Sequence, residues 1–356
     1  MTSDILKEFN IKGEDVETED FGSGLINHTW LIKHAGKKYI LQKINKHVFT
    51  EPHGIDNNIR SLAEYLTIHY PDYLFTKPIY TTNQKGLVEP DDHSSYRLFT
   101  FVEGSHSYTI VERKELAYEA AKQFGKFTKL LSGFDTSKLK ITLPDFHNLS
   151  LRYQQFEQSV SKATKERLAN AASFIETLIS YRHIVDEYEN ILVNPCFKKR
   201  VTHHDTKISN VLFNSNNKGL CVIDLDTVMP GYFISDVGDM MRTYLSPAGE
   251  EETDFSKIDI REDYFEAIVN GYLSEMQQEL TETEKDHFIY AGKFMIYMQA
   301  LRFMADYLNN DIYYGAKYET HNLNRAINQI TLLNKLSEKE SKLKEIIAKA
   351  LLVNDV

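Results

Sequence analysis

The sequence has few of the residues that cross-link or interrupt a fold: its 356 residues include 2 cysteines, 8 prolines and 1 tryptophan. The two cysteines, Cys196 and Cys221, form neither a CxxC pair nor a cluster with metal-ligand spacing. Disulfides persist mainly in oxidising compartments. The cysteine content therefore favours a cytoplasmic protein with incidental thiols.

Long hydrophobic runs are also missing from the sequence. No segment approaches the roughly 18 consecutive apolar residues that a membrane-spanning helix requires. Residues 1–20 contain neither the basic segment nor the apolar segment of a secretory signal. We therefore expect no membrane helix and no secretion signal.

Positive charge is in the minority, with 41 Lys+Arg against 51 Asp+Glu and a net charge of −10. Nucleic-acid phosphates require a positive face, so this balance argues against nonspecific nucleic-acid binding. Hydrophobic residues make up 42% and charged residues 26%, which is ordinary globular composition. The chain is long enough for two lobes.

The first hundred residues show the pattern of a small sheet. Segments 29–34 and 38–44 are rich in β-branched and aromatic residues and are separated by a short AGK turn. A helix is predicted over 59–70 and a further strand over 96–102. The rest of the chain reads mostly as helices, with predicted helical segments at 112–131, 165–192 and 282–308 and two more near the C-terminus. Short strands at 201–202, 211–213 and 220–223 interrupt them.

This strand-rich interruption contains the strongest chemical signal. Segment 201–213 reads VTHHDTKISNVLF and fits the pattern H-x-D-x-x-x-x-N with His203, Asp205 and Asn210. Asp224 then ends an apolar strand. Phosphoryl transfer from a nucleotide needs one carboxylate that orients the acceptor hydroxyl, and oxygen ligands that hold Mg²⁺. Lys207 could place its charge near the transferred phosphoryl group.

Two alternatives apply to these polar residues. They could cap ordinary turns, although the ordered set between apolar strands is unusual for that purpose. A zinc site at His203, His204 and Asp205 is disfavoured, because further ligands at the required spacing are missing.

Segment 21–27, FGSGLIN, fits G-x-G-x-x-N and supplies the nucleotide-site candidates Gly22, Ser23, Gly24 and Asn27. A dinucleotide-binding turn would be followed by a helix, whereas a strand follows here. This favours a loop between two strands that folds over the phosphates of ATP. A plain hairpin turn is the alternative.

The segments HHDTKISNVLF and CVIDLDTVMPGY resemble the aminoglycoside phosphotransferase and choline kinase-like superfamily, and within it the bacterial N-acetylhexosamine 1-kinases. Segment 302–311 and the Tyr313-Tyr314 pair also resemble that subgroup. The resemblance implies an α+β, two-lobed protein-kinase-like fold. Residues 1–103 would form a nucleotide-binding N-lobe that ends in a hinge, and residues 104–356 a helical C-lobe with the catalytic loop and acceptor site. ATP and Mg²⁺ are the implied cofactors.

The resemblance also implies roles for individual residues. Asp205 matches the catalytic base, and Asn210 and Asp224 match the magnesium ligands. Asp236 matches an acid that opens a helix and holds the catalytic loop, and Asp226 is a candidate contact to a metal-bound water.

Lys43 lies where such kinases keep a lysine for the α- and β-phosphates, and we favour it over Gln42. Because neighbouring strand residues point to opposite faces, only one of the two can face the nucleotide. The acid that would pair with this lysine is equally open between Glu64, the only acid of the predicted helix, and a position nearer Asn58. The hinge candidates for adenine binding are Phe101 and Val102.

The implied reaction is phosphorylation of N-acetylglucosamine or N-acetylgalactosamine to the 1-phosphate, with Arg302 and Tyr313 as acceptor-binding candidates. Arg302 could instead pair with Asp306 along one helix face. Other acceptors (an aminoglycoside, choline or homoserine) and a catalytically silent nucleotide-binding protein are the rival functions. Neither a nucleic-acid partner nor a membrane partner is expected.

Overall fold

The computed structural model describes residues 2–13, 15–22, 26–91 and 93–353. An antiparallel sheet near the N-terminus has the strand order β1-β2-β3-β5-β4, and two short two-stranded ladders, β6-β9 and β7-β8, lie later in the chain. The strands of the described residues are β1 (Glu17–Asp20), β2 (His28–His34), β3 (Lys37–Ile44), β4 (Pro78–Ile79), β5 (Ser95–Thr100), β6 (Arg200–Thr202), β7 (Val211–Phe213), β8 (Gly219–Val222) and β9 (Met229–Gly231).

Helices surround these ladders and make up most of the C-terminal part. The α-helices of the described residues are α1 (Thr2–Glu8), α2 (Pro52–His69), α3 (Lys114–Leu130), α4 (Leu149–Lys162), α5 (Lys165–Ser180), α6 (His183–Val193), α7 (Phe233–Tyr244), α8 (Glu262–Met276), α9 (Glu282–Lys285), α10 (Phe288–Leu308), α11 (His321–Glu338) and α12 (Glu340–Val353). The predicted two-lobed α+β fold is confirmed. The segments 165–192 and 282–308, each predicted as one helical stretch, are each divided into two helices.

The predicted hairpin forms between β2 and β3, with His34 opposite Lys37. The two residues between them, Ala35 and Gly36, have positive φ values of 49° and 72°. Two-residue hairpin turns of this kind match the twist of the flanking strands.

The two faces of the N-terminal sheet pack against different partners. On the outer face, Leu41 of β3 and Tyr96 of β5 share a buried cluster with Ile5 and Leu6 of α1. On the other face, Ile44 belongs to the large buried cluster that includes α2 and the C-lobe. This second face therefore looks toward the C-lobe and borders the cleft.

The chain passes from β5 into the C-lobe through residues 101–106. His106 forms an isolated β-bridge with Phe213 of β7. This bridge joins the connection to the β7–β8 hairpin. At the centre of the C-lobe, the almost wholly buried helix α10 packs against α4, α7 and α11. None of the helices within the described ranges is both long and apolar enough to cross a membrane.

Candidate active site

The loop between β6 and β7 brings three predicted residues together. The Asn210 side-chain amide donates hydrogen bonds to the Asp205 backbone carbonyl at 2.8 Å and to Asp205 Oδ2 at 3.1 Å. Lys207 Nζ lies 2.9 Å from Asp205 Oδ1. Desolvation opposes the charged ammonium, but the carboxylates of Asp205 and Asp239 outweigh it and raise the pKa of Lys207. Asn210 and Lys207 therefore each hold one carboxylate oxygen of Asp205.

The β7–β8 hairpin places Asp224 beside this loop. Val211 pairs with Val222, and the Ile223 N–H donates to the Asn210 backbone carbonyl at 2.9 Å. Asp224 follows directly, with a left-handed backbone at φ 58°. Non-glycine residues in this conformation are uncommon and often mark functional positions.

Asp224 lies in a strongly acidic environment. Desolvation by the surrounding protein, together with the negative charge of Asp226 and Asp205, raises the pKa of Asp224. Asp224 is nevertheless exposed to solvent. A divalent cation would relieve this repulsion.

The oxygen ligands of Asn210 and Asp224 suit Mg²⁺ better than a metal ion that is held by protein ligands alone. Within the described residues, no group of three or more His, Cys, Asp or Glu side chains is arranged to hold a metal ion. Asn210 uses its amide nitrogen on Asp205, which leaves the amide oxygen for a cation. Mg²⁺ is commonly held by one or two carboxylates together with substrate phosphates and water.

Hydrogen bonds to helix α7 hold the catalytic loop in a strained conformation. His204 has φ 67°, and both its N–H and that of His203 donate to the buried Asp236 carboxylate of α7, at 2.7 and 3.1 Å. A Cβ at Gly231 would approach the His204 ring to 2.5 Å, so glycine is needed there. One turn further along α7, Asp239 accepts the Thr206 N–H at 2.8 Å. The role expected for Asp236 agrees with these contacts.

We expect His204 to contribute folding stability that is lost when the pH falls below about 6.5. Burial, aided by the neighbouring His203, lowers the pKa of His204 to about 3, from an ordinary value of 6.5. Between these values only the unfolded chain takes up the proton, so this contribution is complete above pH 6.5 and lost as the pH falls. At pH 5.5 the loss from His204 is about 1.4 kcal/mol.

Chemical denaturation at pH 7.5 and 5.5 would measure this loss. His204→Asn removes the titrating ring and keeps a residue type that tolerates left-handed backbone. Its free energy of unfolding should fall by about 1.4 kcal/mol less than that of the wild type between the two pH values. Equal decreases in both proteins would contradict the assignment.

The strand register does not agree with the expectation for Lys43. Lys43 pairs with Tyr96 in β5, and its ammonium lies 5.7 Å from the Tyr96 ring centroid, on the outer face of the sheet. Gln42 lies on the cleft face and accepts hydrogen bonds from Arg97 at 2.8 and 3.0 Å. The preference for Lys43 over Gln42 is therefore corrected, because side chains alternate along a strand and only Gln42 points toward the C-lobe acids.

Asn27 is the nucleotide-loop candidate that contacts the catalytic region. Its amide nitrogen donates to Asp226 Oδ2 at 2.7 Å, and its amide oxygen accepts the Asn45 N–H at 3.0 Å. Gly22 has a positive φ of 78°, as a tight loop requires. Ser23 and Gly24 lie outside the described residues.

Neither of the two positions considered, Glu64 and the region of Asn58, supplies an acid that pairs with Lys43. Glu64 is exposed on α2 and makes no ion pair with Lys43, both residues being within the described ranges. Asn58 is fully buried, and its amide bonds the backbone of Lys140 and the carbonyl of Val228. Asn58 therefore attaches α2 to the segment that follows Asp226.

The hinge candidates continue from β5. The Phe101 N–H donates to the Lys38 carbonyl at 3.1 Å, and the Phe101 ring meets Phe21 edge-on with 6.0 Å between centroids. The Val102 carbonyl accepts the Ser105 N–H and hydroxyl. Phe101 thus lies next to the residue that opens the nucleotide loop.

Arg302 and Tyr313 line one cavity of about 310 Å³ between α4 and the end of α10. The Arg302 guanidinium donates to Gln299 and stands 5.9 Å from the Tyr313 ring centroid. Arg302 does not pair with Asp306, whose oxygens accept the N–H groups of Tyr313 and Tyr314 at 2.8 and 3.0 Å. The helix-face pairing considered above is therefore wrong.

His147 lies beside the catalytic loop. Burial, with smaller contributions from His204 and from the positive charges of Arg302, Arg242 and Arg152, lowers the pKa of His147. Its ring nitrogen lies 3.3 Å from that of His204, which precedes Asp205.

A phosphotransferase enzyme family model matches residues 17–276. This range is well over half of the chain and includes Asp205, Asp224 and the loop between β6 and β7. The chain belongs to the phosphotransferase enzyme family. It is a small-molecule kinase.

Solved structures of similar shape include other phosphotransferases. An aminoglycoside phosphotransferase from Alicyclobacillus acidocaldarius is 11% identical, with a TM-score of 0.65 and coverage of 97% of this chain and 96% of that chain. A microcompartment-associated aminopropanol kinase is 14% identical, with a TM-score of 0.62 and coverage of 96% and 97%. Amicoumacin kinase in complex with AMP-PNP, Ca²⁺ and its substrate is 14% identical, with a TM-score of 0.59 and coverage of 93% and 92%. At these identities the likeness shows the fold of this family member.

Sequence reasoning missed Arg97 and Arg152. Arg97 is 2% exposed and pairs with Asp226, with 2.5 Å between Nη1 and Oδ1. A single arginine inside the apolar strand YRLFTFV was the available signal, because a cation at a buried position needs a partner. Arg152 lies on α4 in the cavity wall, and no local motif marks it.

Proposed function

We propose that this kinase transfers the γ-phosphoryl group of ATP to the anomeric hydroxyl of N-acetylglucosamine or N-acetylgalactosamine. Residues 1–103 would bind the nucleotide and residues 104–356 would carry the catalytic loop and acceptor site. The observation that carries the proposed chemistry is the hydrogen bond between Asn210 and Asp205, with Asp224 placed next to Ile223, whose N–H bonds the Asn210 carbonyl.

In this proposal Asp205 accepts the proton of the acceptor hydroxyl, and its contacts with Asn210 and Lys207 keep the carboxylate in place. Asn210 and Asp224 would hold the metal. ATP and Mg²⁺ supply the phosphoryl group and neutralise its developing charge when bound. The complex of the amicoumacin kinase with AMP-PNP and Ca²⁺ supports nucleotide and divalent-cation use.

The charge of the cavity supports a neutral sugar over a polycationic aminoglycoside. Arg152, Lys162 and Arg302 line it, and Asp306, the single acid among the described residues of its wall, is already bonded to loop N–H groups. Guanidinium groups can donate to sugar hydroxyls and to an acetamide oxygen. A cavity of about 310 Å³ is at the small end of ligand sites.

Replacing Arg302 should damage acceptor use selectively. Arg302→Ala is expected to lower kcat/KM for N-acetylglucosamine by about 10- to 100-fold, since charge-assisted hydrogen bonds contribute about 1.5–3 kcal/mol. The dissociation constant of Mg·ATP should not change. Arg182→Ala, which removes an exposed arginine directly before α6, is the matched control and should behave as wild type.

A substrate panel tests the acceptor itself. Turnover of choline, homoserine or an aminoglycoside, without turnover of either N-acetylhexosamine, would overturn the sugar assignment and leave the kinase assignment intact. Binding of ATP without turnover of any acceptor would favour the catalytically silent alternative.

A further inference from the structure

The cleft face of β3 carries no cation close to Gln42. Ile40 and Ile44 flank Gln42 on this face, Lys38 lies further along it and pairs with Glu103, and Lys43 lies on the opposite face. A nucleotide carries several negative charges at its phosphates, which must be neutralised in a site already acidic from Asp205, Asp224 and Asp226. The required positive charge therefore has to come from another element.

Arg97 of β5 is the buried cation of this region. It lies directly opposite Gln42 in the ladder, and its Nε and Nη2 both donate to Gln42 Oε1. Its Nη1 contacts Asp226 Oδ1 at 2.5 Å. A guanidinium has five N–H donors. Nε and Nη2 donate to Gln42, whereas the buried Nη1, despite its ionic contact with Asp226, makes no hydrogen bond among the described residues and keeps its N–H groups for a ligand.

The arrangement spans both lobes. Asp226 follows Asp224 by two residues, and its other oxygen accepts the Asn27 amide from the nucleotide loop. Arg97 and Asn27 thus bring two N-lobe elements onto one C-lobe carboxylate. Burying an ion pair costs desolvation energy that its attraction often only balances, so stability alone does not explain this pair.

We propose that Arg97, positioned by Gln42 and Asp226, is the cation that binds the nucleotide phosphates in this enzyme. Gln42, which faces the cleft in place of Lys43, serves to orient the guanidinium. The inference rests on the proposed use of ATP.

Nucleotide binding by calorimetry tests the inference directly. Arg97→Gln should weaken ATP binding by at least about 10-fold, in line with the loss of a charge-assisted hydrogen bond. Adenosine, which has no phosphate, should bind as tightly as to wild type. A merely structural role would weaken both ligands together, and that result would overturn the proposal.

If Arg97→Gln unfolds because Asp226 loses its cationic partner, two further variants still test the proposal. The exchange variant Gln42→Lys/Arg97→Gln returns one cation to the cleft face and should recover most of the ATP affinity. Lys43→Met should bind ATP as wild type does. A loss of at least about 10-fold in ATP affinity for Lys43→Met would show that the phosphate cation is Lys43 and not Arg97. Absence of ATP binding by the wild-type enzyme would instead reject the proposed function.

Discussion

Asp205→Asn is expected to lower kcat by about 10²–10⁴-fold, the usual contribution of a positioned general base. The substitution keeps the size of the side chain and an oxygen that can accept the Asn210 amide, but it removes the basic carboxylate oxygen that faces Lys207. Because the nucleotide contacts other residues in this proposal, the dissociation constant of Mg·ATP should stay within about twofold of wild type.

Steady-state kinetics with N-acetylglucosamine and calorimetry with Mg·ATP would measure the two quantities. Asp186→Asn makes the same chemical change at an exposed ion pair with Arg182 and should leave both unchanged. Turnover by Asp205→Asn close to that of wild type, with any accepted acceptor, would show that another group is the base.

Asp224→Ala is expected to abolish metal-dependent ATP binding, with a loss of more than about 100-fold in affinity for Mg·ATP. Desolvation and the neighbouring carboxylates of Asp226 and Asp205 raise the pKa of Asp224, and the repulsion among these three acids favours a divalent cation at this point. Removing the carboxylate removes both a ligand and part of that attraction.

Titrations of ATP with and without Mg²⁺ distinguish this effect from a general loss of binding. The variant should bind ATP equally weakly in both conditions, whereas wild type should respond strongly to the metal. Asp263→Ala, at an exposed position on α8, serves as the control for loss of one acidic charge. Unchanged Mg·ATP affinity in Asp224→Ala would place the metal ligand elsewhere.

Residues close in sequence are the part of the site that could be predicted well. Asp205 and Asn210 belong to one short loop, and the β7–β8 hairpin is short enough to bring Asp224 to the same end. Two short apolar strands and a turn-rich connection specify such a hairpin without distant contacts. The proximity of these three residues could therefore be predicted from the chain order itself.

The loop at 309–315 shows the limit of helix-spacing arguments. Asp306 is placed four residues after Arg302, which predicts an ion pair on an isolated helix. In the folded protein Asp306 accepts the N–H groups of Tyr313 and Tyr314 and the amide of Asn322 from α11. Backbone donors that would otherwise be buried without a partner take precedence over a surface pair.

The sequence by itself determined the two-lobed arrangement, the catalytic loop and its acids, because each depends on local pattern and short connections. Only the tertiary structure decided which face of β3 meets the cleft and which cation stands there. A shift of one residue in the pairing register moves every side chain of a strand to the opposite face of the sheet. The sequence pattern of β3 alone permits either Gln42 or Lys43 to face the cleft. Packing of α1 on the outer face, and the contact of Arg97 with Asp226 across the cleft, settle the register.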